Sequence, residues 1–258
     1  RISTATQISG GQSHFCARLS DGTAKCWGDN TYRQLGDGTT TLRSSPVAVT
    51  GLTGVSEIYA SKGGHTCALL STGDVKCWGY NANGQLGDGT TTNRSSPTLI
   101  TNLHNVTQMA LGESHSCALL SDGTARCWGD NGDGKLGDGT TTERHSPVNV
   151  AWYSNFAELS AGNWQNCGRL TDGKVRCWGF GSFGQLGAGD RESNGDIASN
   201  AVFSLTNTTN IASSPYGDWW GSGGNCAVNS SGNLYCWGAN APIQNLNFNI
   251  RSMSGFIP

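Results

Sequence analysis

Along residues 105–150, apolar and polar positions alternate in short bursts separated by glycine. Asn105–Leu111 (NVTQMAL) alternates well enough for a strand, which Gly112 ends. His115–Leu120 forms a second strand, Ser121-Asp122-Gly123 turns the chain, and Thr124–Gly129 returns as a third. A polar, glycine-rich excursion follows, DNGDGKLGDGTTTERHSP, and Val148-Asn149-Val150 supplies a short fourth strand. No helical spacing of apolar residues competes with this reading. The order recurs along the chain, with Cys-Trp-Gly steps at Cys26, Cys77, Cys127, Cys177 and Cys236, a period of about 50 residues that stretches to 59 before the last copy. A unit of that size cannot bury its apolar faces alone, so neighbouring units must stack. Four short strands per repeat predict an all-β fold: a β-propeller of about five four-stranded blades, or an arc of a larger propeller. Residues 1–258 then form a single domain, with hairpins near 10–30, 62–81, 111–131, 161–181 and 221–240.

Each hairpin carries two cysteines ten positions apart: Cys16/Cys26, Cys67/Cys77, Cys117/Cys127, Cys167/Cys177 and Cys226/Cys236. The midpoint of every pair lies in a three-residue turn ending in glycine (Gly22, Gly73, Gly123, Gly173, Gly232), the place where such a loop needs a left-handed backbone. That loop fixes the register so that paired cysteines face each other across the ladder, within reach of a disulfide. One disulfide per blade is expected. Zinc fits poorly, because the close Cys-x-x-Cys pairs of thiolate sites are absent from the sequence. Bonds of this kind persist outside the reducing cytosol, which places the protein in a secreted or cell-surface location, the periplasm included. The chain starts at Arg1 without a methionine or an apolar leader, as a processed or excised piece of a longer parent would.

Composition narrows the partners. Only 13% of residues are charged, the formal net charge is -2, and Lys and Arg are scattered, so no electrostatic footprint for nucleic acid is present. No apolar run approaches the roughly 18–20 residues of a membrane span, so no membrane insertion is expected. Nothing resembles a catalytic site, and we expect no enzymatic activity. His14, His65 and His115 recur two residues before a cysteine and read as structural members of the repeat. No Gly-x-Ser-x-Gly elbow occurs. The Gly-Asp-Gly-Thr loops at 36–39, 87–90 and 137–140 and the run Asp130–Gly134 lack the ligand spacing of a calcium loop and suit turns instead. Neither a metal nor a cofactor is expected. Four glycosylation tripeptides, at Asn93, Asn105, Asn207 and Asn229, bear on function only in a eukaryotic secretory pathway.

The run G-x-x-H-x-C-A-L-L-S-D-G-x-x-x-C-W-G-x-N-x-x-G-Q-L-G-D-G resembles the regulator of chromosome condensation repeat. Its most specific part stands at Gly84-Gln85-Leu86-Gly87 and Gly184-Gln185-Leu186-Gly187, with variants at Arg33-Gln34-Leu35-Gly36 and Gly134-Lys135-Leu136-Gly137. The likeness covers residues from about 2 to 240. It implies a propeller ring, which in this family usually has seven blades. It also implies nucleotide exchange on a nuclear GTPase with chromatin binding, or the roles of exported bacterial relatives, among them a propeller inhibitor of β-lactamases. Disulfides and near-neutral charge favour the exported branch. The leading-strand pattern of Asn105–Met109 recurs at Asn249–Met253, so a terminal strand could close the ring, or the segment could stop where a sixth repeat would start.

The informative positions are those where the repeats disagree. Trp27, Trp78, Trp128, Trp178 and Trp237 belong to the repeat and read as packing anchors between blades. Trp152, Trp164, Trp219 and Trp220 do not, and they gather in the later repeats with Tyr153, Phe156, Phe180, Phe183 and Tyr216. Trp152, Tyr153, Trp164, Phe183, Trp219 and Trp220 are therefore the candidate ligand-binding residues, with packing under the long excursion before the fifth hairpin as the rival explanation. The expected function is extracellular recognition or adhesion, binding a protein or cell-surface ligand through a propeller face, as at the tip of an adhesin or pilus-associated protein. A lectin-like module in which the later tryptophans stack on glycans, and a propeller-type enzyme inhibitor, are the alternatives.

Overall fold

The computed structural model describes residues 2–187, 200–202, 205–214, 223–238 and 241–245. Its strands form five antiparallel sheets taken up in chain order. The first sheet is β1 (Ala5–Gly10), β2 (His14–Leu19), β3 (Ala24–Gly28) and β4 (Arg43–Ala48), and the second β5 (Val55–Ala60), β6 (His65–Leu70), β7 (Val75–Gly79) and β8 (Arg94–Leu99). The third is β9 (Val106–Leu111), β10 (His115–Leu120), β11 (Ala125–Gly129) and β12 (Arg144–Asn149). The fourth is β13 (Phe156–Ala161), β14 (Gln165–Leu170), β15 (Val175–Gly179) and β16 (Asn200–Ala201), and the fifth β17 (Thr208–Ser213), β18 (Gly224–Asn229), β19 (Leu234–Gly238) and β20 (Ala241–Asn245). Successive sheets meet through their first strands, which lie innermost, while the fourth strands lie outermost. Among the described residues the fifth sheet does not pack on the first, so the five blades form an open arc of a propeller.

The hairpins have the register that the turns dictate. Cys16 faces Cys26, Leu19 N–H donates to Thr23 O at 2.8 Å, and Gly22 sits at φ 76°. All five cysteine pairs are bonded, each with a Cα–Cα distance of 4.1 Å. Closing so short a loop contributes about 2–3 kcal/mol on the chain-entropy account.

The fourth strand differs from the sequence expectation. It begins at Arg144 and runs through His145, Ser146 and Pro147 rather than starting at Val148. A proline is tolerated there because β12 is an outer edge strand whose free side needs no N–H donor. The polar excursion is anchored by one recurring network. Asn30 accepts Leu35 N–H at 3.0 Å and donates to Asp37 at 3.1 Å, and Arg43 Nε donates to the same carboxylate at 2.8 Å. Asn81, Asp88 and Arg94 repeat the arrangement, as do Asn131, Asp138 and Arg144. The Gly-Asp-Gly-Thr carboxylates are thus committed to holding the loop against the outer strand.

Stacking explains the tryptophans. The first four disulfides each lie on the blade face that meets the following blade, whose tryptophan covers it: Cys16 and Cys26 share a cluster with Trp78, Cys67 and Cys77 with Trp128, Cys117 and Cys127 with Trp178, Cys167 and Cys177 with Trp237. The indole N–H then donates 2.9 Å to the carbonyl of Gln34, Gln85, Lys135 or Gln185 in the blade before. The ends of the arc lack such cover. Ile8 is 60% exposed, whereas its counterpart Ile58 is fully buried; Phe15, 45% exposed, stacks on half-buried Trp27. At the other end Cys226 and Cys236 are half-buried while the other eight cysteines are sealed. Limited reduction followed by alkylation and peptide mapping is therefore expected to label Cys226 and Cys236 first. Equal labelling of Cys67 and Cys77 would show that blade stacking does not protect the bonds.

Candidate functional site

Each of the first four blades sends a short loop between its first two strands toward one end of the arc, and the residue after Cys-Trp-Gly bonds back to it. Asp29, Tyr80, Asp130 and Phe180 donate their amides to the carbonyls of Ser13, Gly64, Ser114 and Trp164 at 2.8–2.9 Å. These four places are equivalent by their bonds and different in their side chains. Together with the Gln-Leu-Gly loops they enclose a depression of about 420 Å³ that spans four blades. Its walls include Tyr32, Tyr80, Lys62, Glu113, Lys135 and Trp164.

The two tyrosines meet across the first blade junction, with ring centroids 4.6 Å apart. Trp164 stands where the first and third blades have serine, its ring edge-on to Phe180 at 5.6 Å; Phe180 in turn meets Phe183 at 5.9 Å. The Trp164 indole N–H donates to Glu113 at 3.1 Å, tying the fourth blade to the third. Burial lowers the Lys62 ammonium from its ordinary value, against the pull of the Glu113 carboxylate. Lys135 replaces the glutamine of the other loops, and its buried ammonium pairs with Asp130 and, at 3.6 Å, with Asp133. Burial opposes the charge on Asp130, but the bond and charge of Lys135 outweigh it and hold the carboxyl below its usual range. Acids, bases and aromatic rings line the depression together, so it matches a ligand of mixed polarity rather than a uniformly charged one.

Beneath the depression lies a row of buried histidines. His14, His65 and His115 place Nε2 at 2.9, 3.0 and 3.0 Å from Thr66 Oγ1, Ser116 Oγ and Asn166 Oδ1 of the following blade. Thr66 and Ser116 donate their own hydroxyl protons to Gln34 O and Gln85 O at 2.8 Å, so each histidine is the donor through Nε2–H. Desolvation lowers His14 and His115 to about 4 and His65 to about 3. Their bonds join blades, and all three rings are sealed from solvent.

The aromatic group that looked continuous in sequence is divided by the fold. Trp164 lines the depression, with Phe180 against its ring and Phe183 against Phe180. Trp152 and Tyr153 lie beside Thr124, at the hairpin-turn end of the strands, where they line a separate cleft of about 340 Å³. Phe156 is buried and packs on Trp178 at 5.8 Å, a core residue rather than part of a surface. Trp219, Trp220 and Tyr216 lie outside the described residues. Sequence reading missed Tyr32, Lys62, Tyr80 and Glu113, and read Asp130 and Lys135 as turn and repeat positions only. Their signal was available, since these positions also differ between repeats, but single substitutions in polar loops carry less weight to the eye than added tryptophans.

Comparison with known proteins places these features in context. The model of the regulator of chromosome condensation (RCC1) repeat matches residues 21–70 and 72–119, and a second model of that repeat matches 5–34, 57–85, 106–135 and 156–185. The human E3 ubiquitin-protein ligase HERC2 is 35% identical over 111 residues, 42% of this chain and 2% of HERC2. Human WBSCR16 superposes with a TM-score of 0.79 at 20% identity, covering 95% of this chain and 67% of that one. Prp20p of Saccharomyces cerevisiae, whose structure was described with its binding to Gsp1p and histones, gives 0.73 at 21% identity over 89% of this chain and 56% of its own. The chain thus corresponds to a small part of HERC2 and to part of each solved propeller, consistent with an arc.

Proposed function

The chain belongs to the regulator of chromosome condensation (RCC1) repeat family, and from that premise we propose that it is a recognition domain that binds a protein partner through the depression around Trp164, without catalysing a reaction. One observation carries the reading: side chains that depart from the repeat in four blades converge on a single surface. Tryptophan and tyrosine dominate binding hot spots, and here they are bracketed by the Lys62, Glu113 and Asp130 charges that set specificity. The protein partners of Prp20p support the same class of function for a propeller face. A rigid, disulfide-stapled arc binds with little ordering cost. Its five disulfides favour an oxidising environment, so the reading includes display outside the cell, on an adhesin or pilus-associated parent. The three described repeat histidines are sealed and bonded between blades, which leaves them unsuited to acid–base catalysis.

Binding of the labelled domain to cells, measured by flow cytometry, tests the proposal. Prior protease treatment of the cells is expected to remove the Trp164-dependent binding and periodate to leave that part. Trp164→Ala should weaken it by 1 kcal/mol or more, roughly the hot-spot threshold, with Tm little changed because the ring is only half-buried. Binding that Trp164→Ala leaves intact, or that periodate alone abolishes, would overturn it.

A further inference from the structure

The cleft at the opposite end of the strands holds Trp152, a bulky residue with a left-handed backbone. Val150 N–H donates to Ala125 O and Ala151 N–H to Gly137 O, just as Val49 N–H donates to Ala24 O and Thr50 N–H to Gly36 O in the first blade. The next residue is Gly51 in the first blade, at φ 65°, and Trp152 in the third, at φ 75°. A bulky L residue rarely adopts that left-handed conformation, because its Cβ crowds the backbone. The indole gains no burial in exchange: Trp152 is 71% exposed. Packing therefore does not account for a tryptophan at a place suited to glycine, and strain of this kind concentrates where a side chain serves a ligand.

Its neighbour is equally changed. Leu52 and Leu103 occupy the next place in the first two blades, buried in the core, and Tyr153 replaces them. The tyrosine ring is held edge-on by Phe156 at 6.2 Å, with the Arg176 guanidinium carbon 5.3 Å from its centroid. It forms a supported wall next to the exposed indole. Thr124, Asn149, Val150 and Ser154 complete the cleft, which contains hydroxyl and amide groups and no ionised side chain.

We infer that this cleft is a binding site for a neutral sugar ring, with Trp152 as the stacking platform. A pyranose has a face of C–H groups that lies on an indole and a rim of hydroxyls that bond to threonine, asparagine and serine. An exposed amphipathic aromatic beside a few polar groups is the arrangement that such a ligand requires. An anionic or cationic ligand would find no counter-charge among the lining residues. This site is separate from the depression at Trp164, on the other end of the strands, and does not depend on protein binding there.

The test is a titration of the purified domain with the methyl glycosides of galactose, glucose, mannose and N-acetylglucosamine, followed by tryptophan fluorescence and saturation-transfer NMR. At least one glycoside is expected to bind, and Trp152→Gly should weaken it at least tenfold. The same variant should keep or raise Tm, since glycine adopts the local backbone freely. That combination separates a ligand-binding residue from a packing one. A lower Tm in Trp152→Gly, undiminished glycoside binding in that variant, or no binding of any of the four glycosides would each overturn the inference, and binding of a peptide in place of the glycosides would reassign the cleft to protein.

Discussion

Replacing Trp128 by alanine is expected to reduce the unfolding free energy by about 3–5 kcal/mol, the range for truncating a buried aromatic. The indole is fully buried, packs in one cluster with the Cys67–Cys77 bond of the second blade, and donates to Gln85 O at 2.9 Å. Truncation opens a cavity between two blades and leaves that carbonyl without its indole donor. Trp27, which has no described blade in front of it and is only half-buried, is the internal control. Urea unfolding of Trp128→Ala and Trp27→Ala should differ by several-fold in their losses. Equal losses would mean that blade stacking contributes little to the tryptophan's role.

Acid should weaken the domain well above the ordinary range of carboxylates. His14 and His115 titrate near 4 and His65 near 3 in the fold because burial disfavours their charge, against an ordinary value of 6.5. Nδ1 of His14 and of His115 is buried with no hydrogen-bond partner, so a second ring proton would find no acceptor there. The folded values are depressed, hence the unfolded chain takes up protons first. Stability is complete above pH 6.5 and falls as pH drops toward 4, by about 1.4 kcal/mol per histidine for each pH unit. At pH 5 that amounts to about 2 kcal/mol for each histidine. Urea midpoints measured from pH 7 to 4.5 should fall steadily. His65→Gln copies what the fourth blade already has at Gln165, and it should make the fall shallower. A midpoint constant between pH 7 and 5 would show that the row of histidines is open to protonation in the fold.

Some parts of this molecule are written in short stretches of sequence. The alternation in Asn105–Leu111, the Ser-Asp-Gly turn and the ten-residue cysteine spacing lead directly to a hairpin with a cross-strand bond, and Cys117 does face Cys127. The fourth strand was less legible because Arg144–Pro147 has the composition of a loop and is a strand through its position on an outer edge. For the candidate site, the tryptophans outside the repeat were visible, and one of them, Trp164, lines the depression. Their division between two ends of the blades was not, since Trp152 and Trp164 are close in sequence yet follow opposite ends of their strands.

Strands, turns, disulfides and the need for stacking are all legible in the chain, because they follow from local sterics and from a repeat too small to bury its own faces. Which residues meet across blades is set by the packing of one blade on the next. Trp164 reaches Glu113 and His65 reaches Ser116, each pair 51 residues apart, because stacking superimposes equivalent places of neighbouring blades. A repeat unit read alone contains one residue of each such pair. Whether a departure from the repeat forms a surface, joins the core as Phe156 does, or stands strained in solvent as Trp152 does depends on the neighbour that stacking brings to it.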